Sequence, residues 1–145
     1  MTGPPPTDPQ HWLRRLTAEE WHRAAEHELS LCLARLQQRS VRAGVTHARR
    51  AAGMAWNAIL LHEEDPAYGR SYMEHVVALA TDAAQPEAIR EAARLLGSAP
   101  TVPPTLIQIG KPDLSAHQAA ATIVAHARAW VAAASSAAPS PLTTN

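Results

Sequence analysis

Cysteine is almost absent from this chain of 145 residues, which contains a single copy, Cys32. One cysteine excludes an internal disulfide and any cysteine-rich zinc site. Cys32 falls on an apolar stripe, and no neighbour in the sequence is arranged to lower the pKa of its thiol. We therefore expect a buried structural thiol.

A membrane-spanning segment and a targeting leader are also missing from the pattern. No charged and then apolar stretch opens the sequence, and no apolar run approaches the roughly 18 residues that a spanning helix needs. We expect a soluble cytoplasmic protein with no membrane partner.

Net charge is lacking as well, because 13 basic residues balance 13 acidic ones. This balance argues against a protein that binds duplex nucleic acid by broad phosphate neutralisation. The charges are nevertheless segregated along the chain, since no carboxylate occurs between Glu28 and Glu63. The arginines of this window are Arg35, Arg39, Arg42, Arg49 and Arg50.

Alternating β-branched runs do not occur, so the pattern predicts an all-α fold. Residues 51–61, AAGMAWNAILL, carry no charge, and only Gly53 and Asn57 interrupt their apolar surface. A helix without a polar face must be enclosed by several partner helices or by a second subunit. We therefore predict a five-helix up-and-down bundle with this helix at its centre.

Capping and turn residues set the expected boundaries. Thr17 and Glu20 form a capping box, Ser71 and Glu74 form another, Gly44 marks the first turn, and Thr46 can cap the helix that follows it. A long loop over 98–112 is typical of functional or loose segments. The expected helices cover 17–41, 46–62, 71–83, 86–96, with Gly97 just past the end, and 115–133. They form a bundle over 16–133, flanked by a disordered arm over 1–15 and a disordered tail over 134–145.

Large and small apolar residues have different expected roles in the bundle. Trp21, Trp56 and Trp130 fall on apolar faces and are interpreted as core anchors rather than as stacking platforms for bases. Small residues at helical spacing would let a neighbouring helix approach closely, either from the same chain or from a second copy. These residues are Ala48, Ala52 and Ala55, and they motivate the hypothesis of a homodimer.

The order of the helices carries a resemblance to a known family. A long amphipathic first helix is followed by ARRAAGMAWNAILL, YGRSYMEHVVAL, a helix ending in REAARLLG, and AAATIVAHARAWV. In this order the segments, over roughly residues 16 to 133, resemble the HEPN superfamily of small helical bundles linked to nucleotide and nucleic-acid systems. The resemblance implies a homodimer in a bacterial defence or stress system, with a separate partner protein of the nucleotidyltransferase type.

Ribonuclease members of that superfamily use an arginine followed by a histidine with four to six residues between them, and Arg70 with His75 fits this spacing. Arginine can hold the scissile phosphate, and histidine can move protons between the ribose hydroxyl and the leaving oxygen without a metal. A capping or packing role for both residues is the alternative. Two further pairs have a permitted spacing, about as many as chance predicts: Arg15 with His22 and Arg42 with His47.

The carboxylate-free window supplies a second candidate site across the predicted turn at Gly44. Its basic side chains could converge on one phosphate group beside the N–H groups of a helix start. A solvated face without a ligand is the alternative. The candidate phosphate- or nucleotide-binding residues are Arg39, Arg42, His47, Arg49 and Arg50.

Metal binding is the competing class of function. Glu19, His22 and Glu26 share one face of the first helix, but ferritin-like di-iron bundles need a Glu-x-x-His pair on each of two helices, and only one is present. We therefore predict no metal ligands and no cofactor, and a metal-binding bundle ranks third.

The favoured function is a binding or accessory module without its own reaction, with a nucleotide or RNA as ligand. The alternative is a metal-independent, toxin-like ribonuclease that uses Arg70 and His75. Whether the protein is an enzyme stays open at this point.

Overall fold

A computed structural model describes residues 3–8, 10–100 and 110–137 of the chain. This part consists of helices and connecting turns, without any strand. The prediction of an all-α, five-helix bundle is confirmed. The α-helices are α1 (Ala18–Gln37), α2 (Val41–Leu60), α3 (Tyr72–Thr81), α4 (Glu87–Ser98) and α5 (Ser115–Ala137). None of these helices has the length and apolarity that crossing a membrane requires.

Helix α2 lies at the centre of the bundle, as predicted. Every residue from 51 to 60 is buried, and α2 packs against each of the other four helices. Trp21 and Trp56 are buried in the surrounding core, whereas Trp130 is half-buried with its ring edge against His62. Cys32 is fully buried, and burial raises the pKa of its thiol to about 11, which makes it unreactive near neutral pH.

The small residues of α2 are covered by helices of the same chain. Ala48, Ala52 and Ala55 are all buried within the single protomer. At Gly53 an added Cβ would lie 2.7 Å from the Cα of Tyr72, so α3 approaches the backbone of α2 closely. The alanine stripe therefore offers no surface for a second copy, and the homodimer stays a prediction.

The turn between α1 and α2 lies earlier than predicted. Arg39 has a φ of 62°, and its N–H donates to the carbonyl of Leu36 at 3.0 Å. The next N–H, that of Ser40, donates to the carbonyl of Arg35 at 2.8 Å. This pattern is a Schellman motif, with an arginine at the position that usually holds glycine.

Gly44 is consequently not a turn residue but part of the second turn of α2. A Cβ at this position would collide with the side chain of Leu36, so glycine is required where the two helices cross. The expected cap at Thr46 is wrong for the same reason, since its hydroxyl donates to the carbonyl of Arg42 inside the helix at 2.9 Å.

Most of the arm expected to be disordered packs against the bundle. It contains a 3₁₀ helix (Trp12–Arg15) whose Leu13 is fully buried, and the indole of Trp21 donates to the Leu13 carbonyl at 3.0 Å. Further along the arm, the N–H of Gly3 donates to the carbonyl of Glu64 at 2.6 Å. The apolar pair Trp12 and Leu13 outweighs the proline-rich composition, and the folded unit begins before the predicted boundary at residue 16.

The other end of the bundle also extends further than predicted. α5 runs to Ala137, so the first residues of the expected tail are helical. α4 has Pro86 as its N-cap, and Gly97 lies in its last turn rather than beyond its end. Residues 101–109 of the predicted long loop and residues 138–145 of the predicted tail lie outside the described residues.

Candidate functional site

His75, one half of the predicted catalytic pair, is sealed inside the bundle. The side chain is only 1% exposed. Its Nδ1 lies 2.7 Å from the carbonyl oxygen of Tyr68, and its Nε2 lies 2.7 Å from the side-chain amide of Asn57. Burial lowers the pKa of this imidazole below its ordinary value. His75 is therefore a neutral, fully engaged ring at physiological pH.

The partners of the ring also determine its tautomer. A carbonyl oxygen can only accept, so the Nδ1 of His75 carries the single proton and Nε2 is left as an acceptor. Asn57 must then present its Nδ2 to the ring, since two acceptors cannot form a hydrogen bond. With Oδ1 toward the ring instead, the buried Nδ2 of Asn57 has no partner. His75 and Asn57 thus orient each other.

Arg70, the other half of the pair, lies on the outside at the start of α3. Its guanidinium carbon is 5.4 Å from the centre of the Trp12 ring, a cation–π contact. Only half of the predicted Ser71–Glu74 capping box forms: the Ser71 hydroxyl accepts the Glu74 N–H, but the Glu74 carboxylate accepts the N–H of Arg70 instead of that of Ser71, both at 3.0 Å. Arg70 is thus exposed and His75 is enclosed, so they do not form a shared catalytic surface.

A cavity of about 350 Å³ lies between the arm, the C-terminal turn of α2 and the start of α3. We call it the arm cleft. Its lining contains two arginines, two aromatic side chains and two small polar side chains. They are Arg15, Arg70, Trp12, Tyr72, Asn57 and Ser71.

The arm cleft is electropositive. Within the described part of the chain, neither Arg15 nor Arg70 forms an ion pair with a carboxylate. Both contact indole rings instead, since the guanidinium carbon of Arg15 is 5.5 Å from the centre of the Trp21 ring. Two unneutralised guanidinium groups at one cavity favour an anionic ligand.

A larger neighbouring cavity of about 500 Å³ shares Trp12 and Arg70 with the arm cleft. Its remaining lining includes three carboxylates, Asp8, Glu64 and Asp65. These negative charges oppose a phosphate group. An anion entering this region is therefore directed to the arm cleft rather than to the larger cavity.

The basic side chains predicted to bind phosphate do not converge. His47 and Arg50 both bind the buried carboxylate of Glu28, at 2.6 Å and 3.2 Å. Glu28 comes just before the carboxylate-free window in the sequence, but the α1–α2 hairpin brings it opposite the window. Because α2 already begins at Val41, His47 and Arg50 are also beyond its N-terminal turn.

The other members of that group are separated from one another as well. The Nε of Arg49 donates to the carbonyl of Leu96 at 2.8 Å, so Arg49 satisfies the C-terminal end of α4. The guanidinium of Arg39 donates to the carbonyl of Gly110, and Arg42 is exposed on the first turn of α2. Structural contacts therefore account for four of the five predicted residues, and Arg42 is left on the surface.

The side chains considered for a metal are engaged elsewhere. Glu19 lies 4.0 Å from Arg23 and Glu26 lies 3.5 Å from Arg128. His22 is buried, and neither of its ring nitrogens has a hydrogen-bond partner. In residues 3–8, 10–100 and 110–137, no three metal-binding side chains come together.

Sequence reasoning missed most of the arm cleft. Trp12 and Arg15 fell within the arm expected to be disordered, and Tyr72 was not among the predicted site residues. Asn57 was visible as the single amide within an apolar run, and such an isolated polar residue in a buried helix indicates a specific partner. The pair Trp12 and Leu13, directly before a capping box, was the signal that the arm would pack.

No protein-family model matches the chain, and no curated protein or solved structure matches it significantly. The resemblance to the HEPN superfamily thus rests on helix order and apolar pattern. The function has to be argued from the arm cleft itself.

Proposed function

We propose that this protein is a HEPN-like binding or accessory module that recognises a nucleotide or RNA without a reaction of its own. The arm cleft is the observation that carries the proposal. Arg15 and Arg70 supply two guanidinium forks suited to phosphate, and Trp12 and Tyr72 supply aromatic walls suited to a base. A ligand with both an anionic and an aromatic part fits this combination.

The burial of His75 supports a binding role over a ribonuclease role. A general acid or base must come within hydrogen-bond reach of the proton that it transfers, directly or through one water. Both ring nitrogens of His75 are already engaged by Tyr68 and Asn57, and the ring is closed off from solvent. Catalysis through His75 would require the start of α3 to separate from α2.

The wider setting belongs to the same proposal and is supported by the order of the helices. We propose a homodimer in a bacterial defence or stress system, with a separate partner of the nucleotidyltransferase type. Sedimentation equilibrium should give twice the mass of the chain, and a monomer at all concentrations would remove the dimer from the proposal.

Binding and cleavage can be tested in one experiment. Fluorescein-labelled single-stranded RNA and a fluorescent adenine nucleotide are each titrated with the full chain in the presence of EDTA. We expect the anisotropy of at least one probe to rise, and the affinity to weaken as salt increases, because phosphate contacts are screened. The RNA is then analysed on a denaturing gel, where it should remain intact.

Two results would contradict the proposal. Binding of neither probe at low salt would remove the ligand class. RNA cleavage in EDTA that disappears in the Arg70→Gln variant but persists in Arg42→Gln would establish the ribonuclease alternative instead. Both substitutions change exposed arginines, so neither should impair folding.

A further inference from the structure

We propose that the arm cleft selects a purine nucleotide whose base carries an exocyclic amino group, and that Asn57 is the residue that selects it. The inference rests on the proposed function for the existence of a nucleotide ligand. It adds the class of base, the orientation of the ligand and the residue that determines specificity.

The selecting atom follows from the hydrogen bonds behind the cleft. The carbonyl of Tyr68 holds the proton of His75 on Nδ1, at 2.7 Å, and Nε2 must therefore accept from Asn57, also at 2.7 Å. Asn57 then has its Oδ1 on the side away from the ring, where the structure gives the amide no partner. Asn57 is 1% exposed and lines the arm cleft.

An unpartnered amide atom at such a depth is rare in native proteins and calls for a partner. Because the relay from Tyr68 through His75 fixes the amide, the atom of Asn57 that is left without a partner is an acceptor. It matches a ligand N–H and disfavours a ligand carbonyl or a ring nitrogen lone pair. An exocyclic amino group on a nucleobase has the required donor.

The depth of the lining residues sets the direction of the ligand. Asn57 is buried, whereas Arg15 and Arg70 are exposed, so the acceptor lies at the inner end and the cations at the outer end. The base therefore points inward and the phosphate stays near solvent. Between these ends, Trp12 and Tyr72 form aromatic walls, against which a bicyclic purine buries more apolar area than a pyrimidine does.

Matched nucleotide pairs test the role of the amino group on the unaltered protein. Isothermal titration calorimetry is run with AMP against purine riboside 5′-monophosphate, and with GMP against IMP. The second member of each pair lacks the amino group and keeps the phosphate. We expect at least one amino-bearing nucleotide to bind about ten-fold more tightly than its counterpart, because the Asn57 acceptor is left unpaired without it. Equal affinities within both pairs would overturn the inference.

Substitutions of residues that line the arm cleft test whether the nucleotide binds there. Asn57→Leu, which is similar in size and has no acceptor, should bring the affinity ratio within the discriminating pair close to one. Arg15→Gln and Arg70→Gln should each weaken both members of the pair by about ten-fold and leave their ratio unchanged. Arg42→Gln, at the far end of α2, is the matched control and should change neither affinity. Circular dichroism establishes that each variant is folded, and if Asn57→Leu is not, the nucleotide pairs decide the question on the unaltered protein.

The outcomes separate this inference from the proposed function. If a nucleotide or RNA binds but Arg15→Gln and Arg70→Gln have no effect, the module still binds and the assignment to the arm cleft fails. If nothing binds, both fail. An oligoadenylate of six residues distinguishes a nucleotide within RNA from a free nucleotide as the ligand. Tighter binding than that of AMP identifies a nucleotide within RNA, and equal or weaker binding identifies a free nucleotide.

Discussion

Arg39 closes α1 in a conformation that costs stability in every residue except glycine. Its φ of 62° lies in the left-handed region, where the Cβ of an L-residue crowds the following carbonyl oxygen. The Schellman hydrogen bonds hold it there. A partial compensation comes from its guanidinium, which donates to the carbonyl of Gly110.

Arg39→Gly should therefore stabilise the protein, by roughly 1 kcal/mol, because the strain disappears while the Schellman hydrogen bonds remain. Urea unfolding followed by circular dichroism measures the difference. Arg39→Ala is the control, because it loses the contact with Gly110 and keeps the strain, and it should not be more stable than the natural chain. Equal stabilities of the glycine and alanine variants would show that strain at this position is negligible.

Single residues also show where sequence reasoning stops. The capping box at Thr17 and the side-chain cap at Ser71 were predictable because their hydrogen bonds are made within four residues. Asn57 was recognisable as an anomaly, but its partner His75 is 18 positions away, and no local pattern connects the two. The same limit applies to Glu28, whose contacts with His47 and Arg50 depend on how the helices face each other.

At the scale of helices, two glycines that both lie within a helix differ in the space around them. Gly53 lies where α3 crosses α2, and a Cβ there would be 2.7 Å from the Tyr72 Cα. Gly97 lies in the last turn of α4 with open space, since the nearest atom to an added Cβ is 4.0 Å away on Val76. Replacing each glycine with alanine therefore separates the effect of close helix packing on stability from the effect of helix propensity.

Gly53→Ala should destabilise the protein by about 1–3 kcal/mol, because the collision is with backbone and forces α2 and α3 apart. Gly97→Ala should instead stabilise it by roughly 0.5–1 kcal/mol through the lower backbone entropy of alanine in the unfolded chain. Thermal and urea unfolding of both variants provide the comparison. A stabilising effect of alanine at position 53 would mean that α3 does not approach α2 this closely in solution.

Helix boundaries were the weakest part of the sequence prediction, for a reason visible in α1 and α2. Glycine commonly ends a helix, so Gly44 was assigned to the turn. The chain instead ends α1 with a strained arginine and uses the glycine for contact with Leu36. A residue type that serves two structural purposes cannot be assigned to one of them without knowing the packing.

At the scale of the whole molecule, buried histidines make stability depend on pH. The pKa values of His22, His75 and His126 are all lowered, chiefly by burial. The unfolded chain therefore binds protons more readily than the folded one. The contribution of these histidines to the free energy of unfolding is fully present above the ordinary histidine pKa of about 6.5, and it is lost as pH falls through their lowered pKa values in the folded protein. Carboxylates with lowered pKa, such as Asp82, add a second loss at more acidic pH.

The free energy of unfolding in urea should accordingly decrease between about pH 7.5 and pH 5.5. His22→Leu should make this decrease shallower, since it removes one titrating group whose ring nitrogens have no partners. A free energy of unfolding that rises on acidification would contradict the assignment of these rings as buried and neutral. A slope that His22→Leu leaves unchanged would exclude His22 as a contributor.

The fold was more predictable than the site because the two depend on different information. The lack of a polar face along 51–61 required an enclosed central helix, and this requirement determined the architecture. The arm cleft joins side chains from the N-terminal arm, α2 and α3, which are far apart in the sequence. Arg70 was selected for its spacing to His75, yet its guanidinium lies over the ring of Trp12, a residue that no spacing rule connects to it.

The attachment of the N-terminal arm has a practical consequence for handling the protein. Gly3 is hydrogen-bonded to Glu64, and Trp12 and Arg15 form one wall of the arm cleft. A purification tag fused ahead of Met1 would place bulk beside that anchoring point, and we expect it to weaken the binding proposed for the arm cleft while the helices stay folded. Recombinant material meant for affinity measurements should carry its tag at the opposite terminus, or have an N-terminal tag removed beforehand.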